Sequence, residues 1–224
     1  MTSRGYAALV TAAGASKRVG GSTKKEYRSL EGVPVLARSV LPFLSDSRFS
    51  RIVVTVPPGH VARAVDLLRP HAELSRIRVV EGGATRQESV YRGLIALSNA
   101  PPSIVLIHDD ARPWVSPALI DRVAAAAERE GACVPVIEVA EAVKEAGDSG
   151  MILRHFRRHA LRFAQTPQGF AFEKILAAHE KARAQGAGCV DDGEVYAQFA
   201  GPVAWVDGDP ANRKITYPHD LEDA

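Results

Sequence analysis

The stretch YAALVTAAGASKRVGGSTKKEY, residues 6 to 27, joins an apolar run to a turn of small residues and then to a series of cations. Its first part, residues 6 to 12, has the near-continuous apolar character of a strand that is covered on both faces. Ala12, Ala13 and Gly14 have little or no side chain, so a ligand can approach their backbone N–H groups closely. The segment therefore predicts a buried strand that leads into an anion-binding loop.

Further apolar runs follow, and they alternate with segments that carry apolar residues at helical spacing. The strand-like runs are residues 51 to 56, 77 to 82, 103 to 109 and 132 to 139, and the helical segments are residues 34 to 46, 59 to 69, 86 to 98 and 117 to 130. This alternation is typical of βαβ units. We therefore predict an α/β fold with a mostly parallel sheet, whose ligands bind at the carboxyl ends of the strands.

Residues 138 to 165 interrupt the alternation with a glycine-containing turn at 147 to 150, flanked by extended and basic segments. This pattern predicts a hairpin or arm that projects from a single domain covering residues 1 to 224. A surface hairpin without a role is an equally good interpretation, because charge runs usually indicate exposure. Two helices, near 171 to 185 and 192 to 200, are predicted to follow the arm.

The overall composition excludes several classes of protein. The chain has 28 basic and 26 acidic side chains, so no strong net charge favours binding to nucleic acid or to a membrane surface. Cys133 and Cys189 lie far apart without metal-ligand spacing, which argues against a zinc site and a disulfide scaffold. No run approaches the roughly 20 apolar residues of a membrane span. We expect a cytoplasmic protein whose anion binding is local.

The opening loop matches neither of two common phosphate-binding motifs. A dinucleotide fingerprint beginning at Gly14 requires glycine where Ser16 and Val19 stand. A P-loop requires a glycine followed by lysine at a spacing that the chain lacks. Small residues followed by fixed cations still suit a polyphosphate. The alternative is a loop whose lysines only face water.

Two later stretches are predicted to reach the same edge of the sheet. EGGATRQESVYRGL, residues 81 to 94, places a glycine pair at a strand end and Ser89 in the following helix. IHDDARPW, residues 107 to 114, places two carboxylates and Arg112 after the next strand. The carboxylates suit Mg²⁺ or sugar hydroxyls, and Arg112 suits a phosphate. The alternative is that these groups form a salt bridge at the end of the strand. For His108 we expect a hydrogen-bonded packing role rather than that of a general base.

Five blocks in this order resemble the 2-C-methyl-D-erythritol 4-phosphate cytidylyltransferase family, whose sister group acts on ribitol 5-phosphate. The blocks are AAGASKRVG with KKEY, GGATRQESVYRGL, HDDARP, the arm ending in QTPQGF, and NRKIT. The resemblance implies a Rossmann-like sheet, a homodimer that exchanges the arm, and Mg²⁺ as cofactor. It also implies transfer of CMP from CTP to a sugar-alcohol phosphate. Since the chain ends soon after NRKIT, we expect no fused second enzyme.

The resemblance also implies roles for individual residues. Arg18, Lys25 and Lys214 match the catalytic cations of the family, and Asp109 matches an acceptor-binding carboxylate that could also contact Mg²⁺. The residues that match CTP-binding positions are Ala12, Ala13, Gly14, Ala15, Gly83 and Ser89. The remaining residues that match acceptor-binding positions are Arg112, Arg158 and Thr166, with Arg158 reaching across from the partner subunit.

The acceptor half departs from the family pattern at three positions. Ala142 stands where the arm of the family has a threonine, Asp191 replaces another threonine, and Asp110 replaces a small residue. Loss of one hydroxyl contact typically costs about 1 kcal/mol of binding. Two alternatives to methylerythritol phosphate cytidylyltransferase therefore stay open: a cytidylyltransferase for another alditol phosphate, and a non-catalytic nucleotide-binding dimer.

Overall fold

The apolar run that opens the sequence forms a central strand of the sheet. In this computed structural model, which describes residues 5–14 and 25–221, the strand β1 is Tyr6–Thr11 and all six of its residues are buried. It pairs in parallel with a strand on each side, as a covered strand in an α/β protein should. Thr11 lies opposite Asp109 in this register, so the loop after β1 begins beside that carboxylate.

Most of the other elements agree closely with the predicted pattern, although β2, β3 and β11 were not predicted. The strands are β2 Ser29–Leu30, β3 Val33–Pro34, β4 Phe49–Val56, β5 Ile77–Glu81, β6 Ile104–Asp109, β7 Ala132–Glu138, β8 Lys144–Ala146, β9 Ile152–His155, β10 Arg162–Ala164, β11 Gln168–Ala171 and β12 Ala204–Asp207. The α-helices are α1 Val35–Leu44, α2 Val61–Leu68, α3 Arg86–Leu97, α4 Pro117–Glu130, α5 Phe172–Ala184 and α6 Asp192–Phe199. Ser116 caps α4 by accepting a hydrogen bond from Leu119 N, and Pro117 is its first residue.

Within the described residues, the central sheet has eight strands in the order β10-β7-β11-β6-β1-β4-β5, with β12 also paired to β7. Pairing is parallel from β6 through β1 and β4 to β5, and also between β12 and β7. The expected mostly parallel, Rossmann-like sheet is therefore confirmed. Sequence reasoning missed β11, which is antiparallel to both β6 and β7 and lies between them. This four-residue strand contains a glycine and pairs with residues distant in sequence, so its local pattern is weak.

Side chains on the two faces of β1 enter two different apolar clusters. Ala8 and Val10 pack in the cluster that includes residues of α1 and α4. Ala7 and Leu9 pack on the other face, with residues of α3 and α5. A Cβ at Gly93 of α3 would lie 2.3 Å from Leu9 Cδ1, so glycine allows this helix to approach the strand. Packing on both faces fixes the carboxyl ends of β1 and β6 relative to the start of α3.

The predicted arm contains a hairpin and then a strand that rejoins the sheet. Strands β8 and β9 pair with each other in a separate two-stranded sheet, and β10 pairs with β7. Exposed apolar side chains are concentrated here: Met151 and Leu153 are each 65% exposed, and Phe163 is 54% exposed. Within the described ranges, no helix has the length and apolar character needed to cross a bilayer.

Candidate active site

The carboxyl ends of the parallel strands place the predicted CTP-binding segments side by side. Ala12 donates its N–H to Thr55 O on β4, and the chain after β5 passes directly against Ala13. A Cβ at Gly82 would lie 2.5 Å from the Cβ of Ala13, so glycine is required for this approach. A Cβ at Gly14 would meet nothing within 4 Å among the described atoms. Among the described atoms, Gly14 therefore leaves space at this edge, as expected for a site that admits a ligand.

The second glycine segment is held in place by the start of α3. Thr85 is the N-cap of the helix, because its side chain accepts a hydrogen bond from Glu88 N at 3.1 Å. Ser89 Oγ accepts a hydrogen bond from Gly83 N at 3.0 Å and donates one to Thr85 O at 2.8 Å. Since Ser89 is only 1% exposed, its observed contacts orient Gly83 within the loop. Contact of Ser89 or Gly83 with a cytosine stays a prediction.

A cluster of charged side chains surrounds Asp109 at the end of β6. Arg86 Nε lies 2.9 Å from Asp109 Oδ1, and Lys214 Nζ lies 2.7 Å from Asp109 Oδ2. Arg86 also reaches Asp192 Oδ2 at 2.8 Å through its Nη2 atom. His179 Nε2 lies 3.1 Å from Asp192 Oδ1. We refer to these five residues as the Asp109 cluster.

The cluster keeps Asp109 ionised although its side chain is nearly buried. Burial by itself would raise the pKa of this carboxyl, but the positive charges of Arg86 and Lys214 outweigh that effect and hold the pKa well below its usual range. Asp109 is therefore an anion with two cationic partners at neutral pH. The Lys214 side chain is 41% exposed, so this cation faces the open side of the cluster.

Thr166 and His108 form a hydrogen-bonded chain beneath Asp109. Thr166 Oγ1 accepts the Asp109 N–H at 3.0 Å and lies 3.0 Å from His108 Nδ1, while His108 Nε2 lies 3.1 Å from Arg112 O. A carbonyl oxygen only accepts, so His108 must donate from Nε2 and accept from Thr166 at Nδ1. Burial lowers the pKa of His108 to about 4. The ring is therefore neutral and fully bonded, as the sequence analysis expected.

Arg112 connects the end of β6 to the segment that carries Lys214. Its Nη1 donates to Asn212 O at 2.7 Å and its Nη2 donates to Ala164 O at 3.3 Å. Ile215 N also donates to Ala111 O at 2.8 Å, which fixes the chain on the other side of Lys214. The predicted acceptor-binding roles of Arg112 and Thr166 stay predictions, because both side chains are engaged within the protein.

The remaining predicted residues lie in the arm or outside the described ranges. Arg158 is exposed in a short 3₁₀ helix of the arm and donates to Ala140 O at 2.9 Å. Among the described residues it makes no hydrogen bond or ion pair with another predicted site residue. Arg18 and Ala15 lie outside the described residues. Lys25 begins a short 3₁₀ helix, but the position of its side chain is likewise outside the description.

The described residues do not form a metal centre of their own. They contain no group of three or more His, Cys, Asp or Glu side chains arranged to hold a metal ion. Asp109 was the expected contact for Mg²⁺, yet Arg86 and Lys214 already bond to its two oxygens. In this arrangement the donor set does not fit a protein-bound Mg²⁺ ion. The metal assignment of Asp109 stays a prediction.

Sequence reasoning did not single out Arg86, Asp192 or His179. One signal for Arg86 was present, because a cation in the first turn of a helix is unfavourable with respect to the helix dipole and so indicates a specific anionic partner. Asp191, which replaces a family threonine, is the N-cap of α6 and accepts from Glu194 N at 2.8 Å. Its substitution therefore keeps the capping function that a threonine side chain would supply.

Together, the Rossmann-like sheet and a cation-rich strand edge that suits a phosphorylated ligand are typical of proteins that bind nucleotides. A family model described as "IspD: 2-C-methyl-D-erythritol 4-phosphate cytidylyltransferase" matches residues 6–224. The chain therefore belongs to this family of cytidylyltransferases. It is 41% identical over 220 residues to a bifunctional enzyme IspD/IspF of Rhodopseudomonas palustris, a match that covers 98% of this chain and 54% of that protein.

A second relative matches the chain to a similar extent. The bifunctional enzyme IspD/IspF of a Bradyrhizobium species is 42% identical over 224 residues, which cover 98% of this chain and 56% of that protein. The chain thus spans about half the length of the curated relatives it matches. The expectation about a fused second enzyme stays a prediction.

Two solved structures share the fold of this chain. The 2-C-methyl-D-erythritol 4-phosphate cytidylyltransferase of Thermus thermophilus has a TM-score of 0.78 and 35% identity, covering 96% of this chain and 95% of that one. The 4-diphosphocytidyl-2C-methyl-D-erythritol synthase of Anaerococcus prevotii has a TM-score of 0.85 and 26% identity, covering 98% and 94%.

Proposed function

We propose that the protein transfers CMP from CTP to 2-C-methyl-D-erythritol 4-phosphate. An oxygen of the acceptor phosphate forms a bond to the α-phosphorus of CTP, and the bond from that phosphorus to the oxygen leading to the β-phosphate breaks. The products are CDP-methylerythritol and pyrophosphate. Family membership over residues 6–224 and the high identity to IspD/IspF enzymes support this reaction.

The observation that carries the proposal is the partly exposed Lys214 beside Asp109, whose low pKa keeps it ionised at neutral pH. A phosphate nucleophile is already ionised at neutral pH, so the reaction needs positioning and charge neutralisation rather than a general base. His108 fits this chemistry, because it is fully buried, neutral and bonded on both ring nitrogens. On this proposal Lys214, Arg18 and Lys25 neutralise the phosphates, and Asp109 accepts hydrogen bonds from hydroxyls of the acceptor.

Mg²⁺ is proposed as the cofactor on the strength of the resemblance to the family. This ion commonly binds through one or two carboxylates together with substrate phosphates, rather than in a cage made only by protein. The scarcity of free carboxylate oxygens in the Asp109 cluster is compatible with Mg²⁺ that arrives on the CTP phosphates. Bound there, it would supply further neutralisation of phosphate charge.

We also propose that the protein is a homodimer in which the arm of one subunit reaches the acceptor site of the other. Arg158 and the exposed Met151, Leu153 and Phe163 support this proposal, since exposed apolar groups concentrated in one segment indicate an interaction surface. A cytoplasmic location, with no nucleic-acid or membrane partner, is proposed from the balanced charge and the two free cysteines.

The reaction is tested by measuring pyrophosphate release with CTP, Mg²⁺ and either methylerythritol phosphate or ribitol 5-phosphate. We expect release with methylerythritol phosphate that is at least about tenfold faster at equal concentrations, because a site selective for one polyol leaves polar groups unpaired with another. Faster release with ribitol 5-phosphate would reassign the acceptor. No release with either acceptor, despite measurable CTP binding, would favour a non-catalytic nucleotide-binding dimer.

A further inference from the structure

Asp109 has one fixed and one accessible cationic partner. The Arg86 side chain is 30% exposed and is held between two carboxylates. The Lys214 side chain is 41% exposed, and among the described residues its one ion pair is with Asp109. The planar fork of a guanidinium can serve two carboxylates at once, which an ammonium on a flexible stem does less well. The two cations next to Asp109 therefore differ in how easily they can leave it.

The anchor of Arg86 lies deeper in the protein, where a ligand does not reach. The side chain of Asp192 is 1% exposed and that of His179 is fully buried. Burial alone would raise the pKa of Asp192, but the charge of Arg86 and the hydrogen bond with His179 lower it below its ordinary value. Asp192 is therefore an ionised group whose contacts lead through Arg86 toward Asp109.

Three elements of the fold converge to build this connection. Arg86 is the first residue of α3, Asp192 is the first residue of α6, and His179 lies in α5. The caps of α3 and α6, Thr85 and Asp191, fix the backbone on either side of the ion pair. The Arg86 guanidinium is thus held between the first residues of α3 and α6, and its Nε atom contacts Asp109 at the end of β6.

We propose that Arg86, held by Asp192 and His179, is a positioning residue that fixes and neutralises Asp109 so that Lys214 can move to a substrate phosphate. When Lys214 leaves, Asp109 keeps one cationic partner and is not left as an uncompensated, nearly buried charge, which would be costly. No bond is made or broken in this step, and Arg86 need not touch the reacting atoms. The inference rests on the proposed cytidylyl transfer and adds three residues to its machinery.

The variants Arg86→Gln and Asp192→Asn test the connection at its two ends. We expect each to lower kcat about 10- to 100-fold, because displacement of a positioning group by about 1 Å can have an effect of that size. The KM for CTP should stay within about twofold, since the nucleotide-binding backbone is unchanged. Arg183→Gln removes an exposed arginine that pairs with Glu88, and this matched control should keep the kcat of the wild type.

A double variant separates positioning from general structural damage. If Asp192 acts through Arg86, the combination of both changes should lower kcat no further than Arg86→Gln does alone, because coupled residues are not additive. Wild-type kcat in Asp192→Asn, or a double variant whose loss is the product of the single losses, would overturn the inference. If Asp192→Asn does not fold, Arg86→Lys provides the test. Its kcat should be at least about tenfold lower, and a wild-type kcat would refute the positioning role of Arg86.

The inference and the proposed function can fail separately. A wild-type protein without turnover on methylerythritol phosphate would refute the function. Crystal structures of the wild type and of Arg86→Lys would then decide the inference without an activity assay. We expect the Asp109 carboxylate to be displaced in the variant, and an unchanged Asp109 conformation would overturn the positioning role.

Discussion

The Asp109 cluster and the arm differ in how far their side chains find partners within the same chain. Asp109, Asp192 and His179 are nearly or fully buried, and each has a charged or hydrogen-bonding partner in the same chain. In the arm, β8 and β9 pair only with each other among the described strands, and all their residues are exposed. Apolar side chains such as Leu153 remain in contact with solvent there.

On the proposed homodimer, this difference separates the region that one chain orders by itself from the region that would gain from a second chain. The cluster can be ordered before a substrate arrives, because several helices and strands hold its groups in place. An isolated two-stranded hairpin is at best marginally stable in water, so the arm gains most from an added surface. We therefore expect changes in the cluster to act within one subunit and changes in the arm to act on the neighbouring site.

The largest expected effect is a loss of activity that a mixed dimer of two variants partly restores. Lys214→Met and Arg158→Ala should each lower kcat/KM by about 100-fold or more, because on the proposed function each removes a cation that neutralises a substrate phosphate. When the two variants are coexpressed with different tags and the mixed dimer is isolated, one of its two sites contains both native cations. That dimer should regain about half of the wild-type activity per dimer.

The outcome of this complementation distinguishes two geometries. Failure of the mixed dimer to recover, although both variants fold and dimerise, would show that Arg158 acts on the site of its own subunit. Lys174→Met, at an exposed position of α5, is the matched control for loss of a lysine and should keep wild-type activity in both homodimeric and mixed forms.

An intermediate effect concerns the buried histidine beneath the cluster. His108 has a pKa of about 4 in the folded protein, below the ordinary value of 6.5, so the unfolded chain binds a proton more readily. The contribution of neutral His108 is therefore present above pH 6.5 and is lost as the pH falls toward 4. The free energy of unfolding should decrease by up to about 3 kcal/mol over this window.

Urea unfolding at pH 7 and pH 4.5 measures this dependence. The variant His108→Gln keeps a donor and an acceptor but cannot take up a proton, so its loss of stability between the two pH values should be smaller than that of the wild type. The same replacement in the exposed arm, His155→Gln, controls for removal of a histidine. Equal losses in the wild type and in His108→Gln would show that His108 is not the group responsible.

The smallest expected effect is in the arm. Ala142 is exposed and stands where the family has a threonine, so Ala142→Thr should restore one hydroxyl contact to the acceptor. A contact worth about 1 kcal/mol lowers the KM for methylerythritol phosphate about fivefold, with little change in the KM for CTP. Ala146→Thr, also exposed in the arm, should leave both constants unchanged. An unchanged acceptor KM in Ala142→Thr would place this position outside the binding site.

Much of the fold was predictable because its signals are local. The strand runs and helical segments reproduce β1, β4 to β7 and α1 to α6 to within a few residues, and α4 begins at Pro117, the first residue of its predicted segment. By contrast, β11 was missed because its pairing depends on β6 and β7 rather than on its own four residues.

For the candidate site, the sequence indicated Asp109 and Lys214 as residues that share an active site, and the structure brings them to 2.7 Å across 105 positions of chain. It did not reveal that the polar atoms of Ser89, Thr166 and Arg112 would form hydrogen bonds with the backbone around the site. Such roles depend on the direction of a side chain in the folded protein. A motif gives the residue type but not that direction.

The amino-acid sequence alone was enough to predict the α/β fold, the strand edge that carries the candidate site and the family to which the chain belongs. These follow from periodicity, from small residues at strand ends and from the order of five motifs. That Arg86 and Lys214 both pair with Asp109, and that Asp192 and His179 hold Arg86 from behind, is visible only in the folded chain. The physical reason is that ion pairing acts through space, and packing on both faces of the sheet sets which charges meet.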